Sequence, residues 1–272
     1  MNILIVLAVA ALALCTIWAA QSVALVVVGE PLAWPLRFTT QAPLVRWTSR
    51  IAIHTAWLVI IIGTPLALGM RPLEALHQWF PTPVPWRDIA VAFAIALFPY
   101  VLVYLLYVAL GWVRIEPRHD RATRRGKLLR RFLGPLPLAT LEEAVFRGVV
   151  LEQLLRALPS PAGTALAIVL SSIVFSAVHF IKRPYPGKPM WQPAYGLFIV
   201  GCLFGLAYVI GGRSLWLPIA VHAAAILVTE VAKLYVVYQR PPWLLGYAEF
   251  PHCGLAGSLT VLGMGIALVV LI

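Results

Sequence analysis

Residues 132–158 read FLGPLPLATLEEAVFRGVVLEQLLRAL, an apolar run of helix length with Glu142, Glu143 and Arg147 at its centre. Ionisable side chains are costly inside a bilayer, so an acid pair and a guanidinium there mark a functional site by default. Later apolar runs carry Phe175 and His179, in FSAVH, and then His222. On a helix, Glu143 and Arg147 are four apart and face each other, while Glu142 is turned about 100° away. The facing pair neutralises itself, which leaves Glu142 as an acid able to point into a cavity and act as a general base. Pro135 and Pro137 start or kink this helix. Thr140 with Glu143 three residues on has the spacing of a capping box, which sets the helix start about a turn before the acids.

The surroundings are read as a bilayer from composition. Of the 272 residues, 61% are hydrophobic and 11% charged, against roughly 25% charged in soluble domains. The fold class expected is all-α, a polytopic membrane protein with about eight transmembrane helices. Runs near the required ~20 residues lie at Ile3 to Val28, Ile51 to Gly69, Ile89 to Val113, Phe132 to Leu158, Pro161 to Ile181, Pro193 to Ile210, Leu215 to Tyr238 and Leu255 to Ile272. The first lacks a basic leading region and is too long for a cleaved signal, so it is expected as a retained helix. The chain then reads as one membrane domain, 1–272, with no soluble module.

The net charge of +11 does not imply nucleic acid, because 8 of the 21 basic residues fall between Arg114 and Arg131. Such a cluster beside a helix end fixes topology, and docking on anionic headgroups is a second reading. With the cluster in the cytoplasm, both termini lie on the other side. Cys15, Cys202 and Cys253 show no paired spacing, which argues against a disulfide framework or a Cys metal site. The 17 Arg against 4 Lys and the single asparagine, Asn2, suggest a GC-rich bacterial genome, hence a multi-pass protein of the bacterial inner membrane.

At these residues the chain resembles the CPBP family, the CAAX-processing and bacteriocin-processing intramembrane proteases of glutamate type. The family's EExxxR is matched by Glu142, Glu143 and Arg147, and its FxxxH by Phe175 and His179. Its HxxxN or HxxxD, preceded by SLW and Pro, is matched at Ser214-Leu215-Trp216, Pro218 and His222, but the last position is Ile226. The motif-bearing core is about 132–240. The resemblance implies a peptide-bond hydrolase acting on a membrane-bound or lipidated protein or peptide. It implies that Glu142 and His179 activate water, that Glu143 and Arg147 organise the helix, and that His222 with the missing Asn holds the oxyanion.

Without that Asn, Thr229, seven residues beyond His222 and near the same face, is the nearest hydroxyl, and Phe175 is a further substrate-side contact. Losing one oxyanion donor costs about 2.7 to 4 kcal/mol, a slow enzyme rather than necessarily a dead one. Zinc is the mechanistic rival, since Glu142, His179 and His222 make a His2Glu set with an open position. No HExxH preorganises two ligands, and the resemblance favours a metal-free site with no cofactor. A catalytically impaired scaffold or immunity protein is the non-enzymatic alternative. A transporter using the same buried groups is the third, although no repeated halves are visible.

Depth poses a difficulty. At 1.5 Å per residue, His179 lies roughly 27 Å from the outer start of its helix and His222 only about 10 Å from its own. For the two to share a cavity, the turn at 211–214 must sink into the protein, where irregular backbone is tolerated only if buried in protein or lining water. The Pro-rich segment after His179, KRPYPGKPMWQ, is a further expectation, as a gate or substrate-contacting loop.

Overall fold

The structure is a computed structural model that describes residues 2–33, 42–117, 120–181, 190–248 and 250–272. The expected gate segment falls mostly at 182–189, outside the described residues. The fold is almost entirely helical, as the composition requires of a chain that must satisfy its backbone within a bilayer.

Six helices among the described residues have the length and apolarity to cross a membrane. They are α1 (Asn2–Val27), α2 (Pro43–Ala67), α4 (Trp86–Ala109), α8 (Pro161–Val178), α9 (Trp191–Ile210) and α10 (Trp216–Tyr235). The last apolar helix, α12 (Leu255–Leu271), is 17 residues, about 25 Å at the helical rise. The remaining expected span is divided into α6 (Pro135–Glu143), a π-helical stretch (Ala144–Leu151) and α7 (Glu152–Ala157).

Where the element boundaries differ from the sequence reading, local chemistry explains them. Helix α2 starts eight residues earlier than expected, on Pro43 at its first position, where a missing N–H costs nothing. Helix α4 stops at Ala109 and α10 at Tyr235. The β-branched residues that follow form two short strands, β1 (Val113–Ile115) and β2 (Val236–Tyr238), paired antiparallel with Val113 opposite Tyr238. The Thr140 cap does not form, because Thr140 Oγ1 donates to the Leu136 carbonyl at 2.8 Å inside a helix already begun at Pro135. Two amphipathic helices too short to read as spans are present as well, α3 (Pro72–Trp79) and the basic α5 (Arg121–Leu133), and a single turn, α11 (Pro242–Leu245), precedes α12.

Helices α9 and α10 are central, with 56% and 61% of their most apolar windows buried in protein, against 17% for α1 and α4. Helix α10 packs on α4, α6 and α9, while α9 runs along α8 and α12. The ionisable residues of interest therefore sit where protein, not lipid, surrounds them. The α1–α2 hairpin stands to one side, clasped by Ser49 Oγ donating to Gln21 Oε1 at 3.0 Å, with both residues fully buried. At the far end, Arg131 of α5 holds Glu230 of α10, with Nε 3.1 Å from the carboxylate and Nη1 donating to the Glu230 carbonyl at 2.6 Å.

Candidate active site

Glu142 and Glu143 end α6, and the π-helical stretch begins at the next residue. Widened π turns recur at functional sites because they displace carbonyls from their usual partners. Here two carbonyls of the stretch receive side-chain donors. Ser171 Oγ donates to Phe146 O and Trp79 Nε1 to Gly148 O, each at 3.2 Å. Trp79 approaches so closely that a Cβ on residue 148 would lie 2.7 Å from its ring, which explains a glycine there.

Arg147 and Glu143 are both fully buried. Arg147 Nη1 donates to Glu143 Oε1 at 3.2 Å, and its Nε stands 3.2 Å from Oε2 at ion-pair distance without hydrogen-bond alignment. Nη2 donates to the Gly201 carbonyl at 2.7 Å. The guanidinium also lies over the rings of Phe175 and Phe204, at 4.9 and 5.2 Å, a cation–π arrangement strengthened by the absence of water.

Glu143 has a second partner that the sequence reading did not assign. His222 Nδ1 lies 2.6 Å from Glu143 Oε1, while His222 Nε2 is 3.6 Å from Glu142 Oε2, beyond a direct hydrogen bond. The imidazole stacks on Phe204 with centroids 4.3 Å apart. His179 is the first residue of a 3₁₀ turn (His179–Ile181) that ends α8, and its Nδ1 is 2.7 Å from the Phe175 carbonyl. A carbonyl only accepts, so Nδ1 carries the proton and Nε2 keeps its lone pair. Phe175, expected as a substrate-side contact, is 1% exposed and touches both imidazoles and the guanidinium, which makes it the wedge that sets their spacing.

Glu142, His179, His222, Ile226 and Thr229 line one cavity of about 200 Å³, so the groups read from three separate helices do converge. At ~30 Å³ per water this is more room than a bridging water needs. A larger apolar concavity of about 700 Å³ between α9 and α12 touches none of these ionisable groups, and the chemistry locates the site at the smaller one. Thr229 Oγ1 donates to the Ala225 carbonyl at 2.9 Å, so the hydroxyl expected to stand in for the missing Asn is already engaged.

The turn at 211–215, on which the depth argument depends, is covered by protein only in part. Ser214 and Leu215 are buried, and the Leu215 N–H donates to the Trp79 carbonyl at 2.8 Å, beneath α3. The tip stays open. Arg213, in the left-handed region at φ 64°, has a half-exposed side chain 3.7 Å from Glu152.

Among the described residues, no group of three His, Cys, Asp or Glu side chains stands close enough together to hold a metal ion as arranged here. The sequence reading missed His252, in a second 3₁₀ turn (Pro251–Cys253), along with Glu230 and Lys233 of α10, all of which line the same cavity. His252 is a lone histidine just before the last apolar run, and no motif or periodicity marked it.

No curated protein and no solved structure matches the chain. The family model described as Type II CAAX prenyl endopeptidase Rce1-like matches residues 126–228, the segment that holds Glu142, Glu143, Arg147, Phe175, His179 and His222. Over that segment the chain is similar to the CAAX-protease family of membrane hydrolases that its motifs resemble.

Proposed function

We propose that this protein is an intramembrane endopeptidase that hydrolyses a peptide bond in a membrane-bound or lipidated protein, in the inner membrane of a bacterium and without a metal ion. The observation that carries the reading is the division of labour between adjacent acids. Glu143 is committed to Arg147 and His222, whereas Glu142 lines the cavity together with His179 and His222.

A water between Glu142 and Nε2 of His179 loses a proton to this pair as its oxygen attacks the scissile carbonyl. The carbonyl oxygen becomes an oxyanion on the His222 side. As the C–N bond breaks, the proton passes to the leaving amine. His222 is held in place by Glu143, much as a buried carboxylate orients the histidine in other hydrolytic sites. Glu142 and His222 are both buried, so their interactions are little screened by water.

The test is cleavage of a quenched peptide ending in a farnesylated CAAX tetrapeptide, presented in proteoliposomes to the wild type and to Glu142→Gln. Cleavage by the wild type alone is expected. Equal cleavage by both, or none by either, sinks the assignment. The replacement of the motif Asn by Ile226 favours a second reading, an impaired relative that binds a membrane protein without cutting it. That reading requires partner binding to survive Glu142→Gln.

A further inference from the structure

Hydrolysis in this cavity requires a donor for the oxyanion, and helix α10 supplies little beyond His222. Ile226 has no donor, Thr229 gives its hydrogen to Ala225, and the Lys233 ammonium is held by Glu230 at 2.5 Å. One further lining residue, His252, is only 7% exposed, and its Nε2 makes no hydrogen bond among the described residues. A buried polar atom without a partner is costly, so a site that retains one calls for an explanation by function or ligand.

We infer that His252 donates a hydrogen bond to the substrate's carbonyl oxygen, taking the role that Ile226 cannot fill. The inference rests on the proteolytic reading above.

Three features favour a donor over a base or an ornament. First, the turn carrying His252 is fixed. Tyr247 and Phe250 exchange backbone hydrogen bonds at 3.1 and 2.9 Å, Ser258 Oγ donates to the His252 carbonyl, and Tyr247 OH donates to Gln192. Second, the ring lies against the backbone of α9, where a Cβ on residue 196 would meet His252 Cδ2 at 2.8 Å, so only Gly196 allows the approach. A rigid donor requires no reorganisation as charge develops, which is what makes oxyanion holes effective. Third, burial, followed by the nearby His179 and His222, lowers the His252 pKa to about 3. Such an imidazole is a poor base at neutral pH, yet its neutral form still carries one N–H to donate. The pair would then be complementary, with His179 accepting a proton from water and His252 donating to the oxygen that water's attack charges.

The experiment compares purified full-length wild type, His252→Leu, His252→Gln and the double variant His252→Leu/Ile226→Asn on the same quenched farnesylated peptide, with Glu142→Gln as the blank. We expect His252→Leu to lower kcat about 100- to 1000-fold with KM changed less than about threefold, the effect of losing one oxyanion donor. His252→Gln, which keeps an N–H, should recover at least about tenfold of that loss. The added Ile226→Asn should also restore turnover in the double variant, because the two side chains line one cavity. Thermal unfolding of each variant in detergent separates this from misfolding. Wild-type turnover in His252→Leu would overturn the donor role while leaving the protease standing. So would a loss that neither His252→Gln nor the added Ile226→Asn relieves, in variants that unfold at the wild-type temperature. Wild-type protein no more active than Glu142→Gln would overturn the proteolytic reading and this inference together.

Discussion

His222 and Glu143 are 79 residues apart in sequence and 2.6 Å apart in space, with Nδ1 of the imidazole donating to Oε1 of the carboxylate. The same oxygen accepts from Arg147. One buried acid therefore sets both the rotamer of an imidazole on α10 and the guanidinium that ties its own π-helical stretch to α9. Its neighbour Glu142 carries none of this burden, and the predictions for the two acids diverge accordingly.

Glu142→Gln should abolish cleavage and leave thermal unfolding within a few degrees of wild type. Arg147→Ala should instead lower stability by about 3–5 kcal/mol, since it strands Glu143 as a buried charge without its cation. Unfolding in detergent, followed alongside activity, checks both. A Glu142→Gln variant as unstable as Arg147→Ala would contradict the separation of roles.

Metal dependence is checked directly. The protein purified without added metal should hold substoichiometric zinc by mass spectrometry and keep its activity through prolonged chelation. Stoichiometric zinc, with activity lost on chelation and regained on adding metal, would return Glu142, His179 and His222 to the role of ligands.

Thr229→Val should leave turnover within about twofold of wild type, because its hydroxyl is already donated to the Ala225 carbonyl. A loss above tenfold, measured with the same peptide, would mean that the hydroxyl reorients toward substrate.

Acid should destabilise the protein through His252. Its folded pKa of about 3 lies below the ordinary 6.5, so the unfolded chain binds the proton more readily. The stability associated with its neutral form is complete above about pH 6.5 and lost as pH falls toward 3. At pH 5 this amounts to about 2 kcal/mol. His252→Gln should flatten the dependence of unfolding temperature on pH between 7 and 5, and an unchanged slope would show that the folded and unfolded chains bind this proton equally.

Gly148→Ala should cost about 1–3 kcal/mol by forcing the Trp79 ring from its contact. Pairing it with Trp79→Phe tests the cause, because the two losses should be less than additive if they share one contact.

Much of the site was legible because a charged residue in an apolar run has few innocent explanations. Glu142, Glu143, Arg147, His179 and His222 stood out for that reason, and helical spacing alone placed Glu143 opposite Arg147. What could not be read was anything that depends on contacts distant in sequence. The grip of Glu143 on His222 requires α6 and α10 to meet, and Trp79 against Gly148 requires α3 to fold over the π-helical stretch. The ends of α4 and α10 were overrun because apolar β-branched residues continue a hydrophobic run whether or not the helix does. The short α3 and the polar α5 lack the twenty apolar residues that make a span visible. His252 escaped too, since a lone histidine in a loop carries no pattern until the fold buries it.

Arg131 grips the wall of the cavity through Glu230, and it does so from a thirteen-residue helix with five further cationic residues. A helix of that composition is drawn to acidic phospholipid. Through that one ion pair, the charge of a cationic helix bears directly on the wall of the cavity.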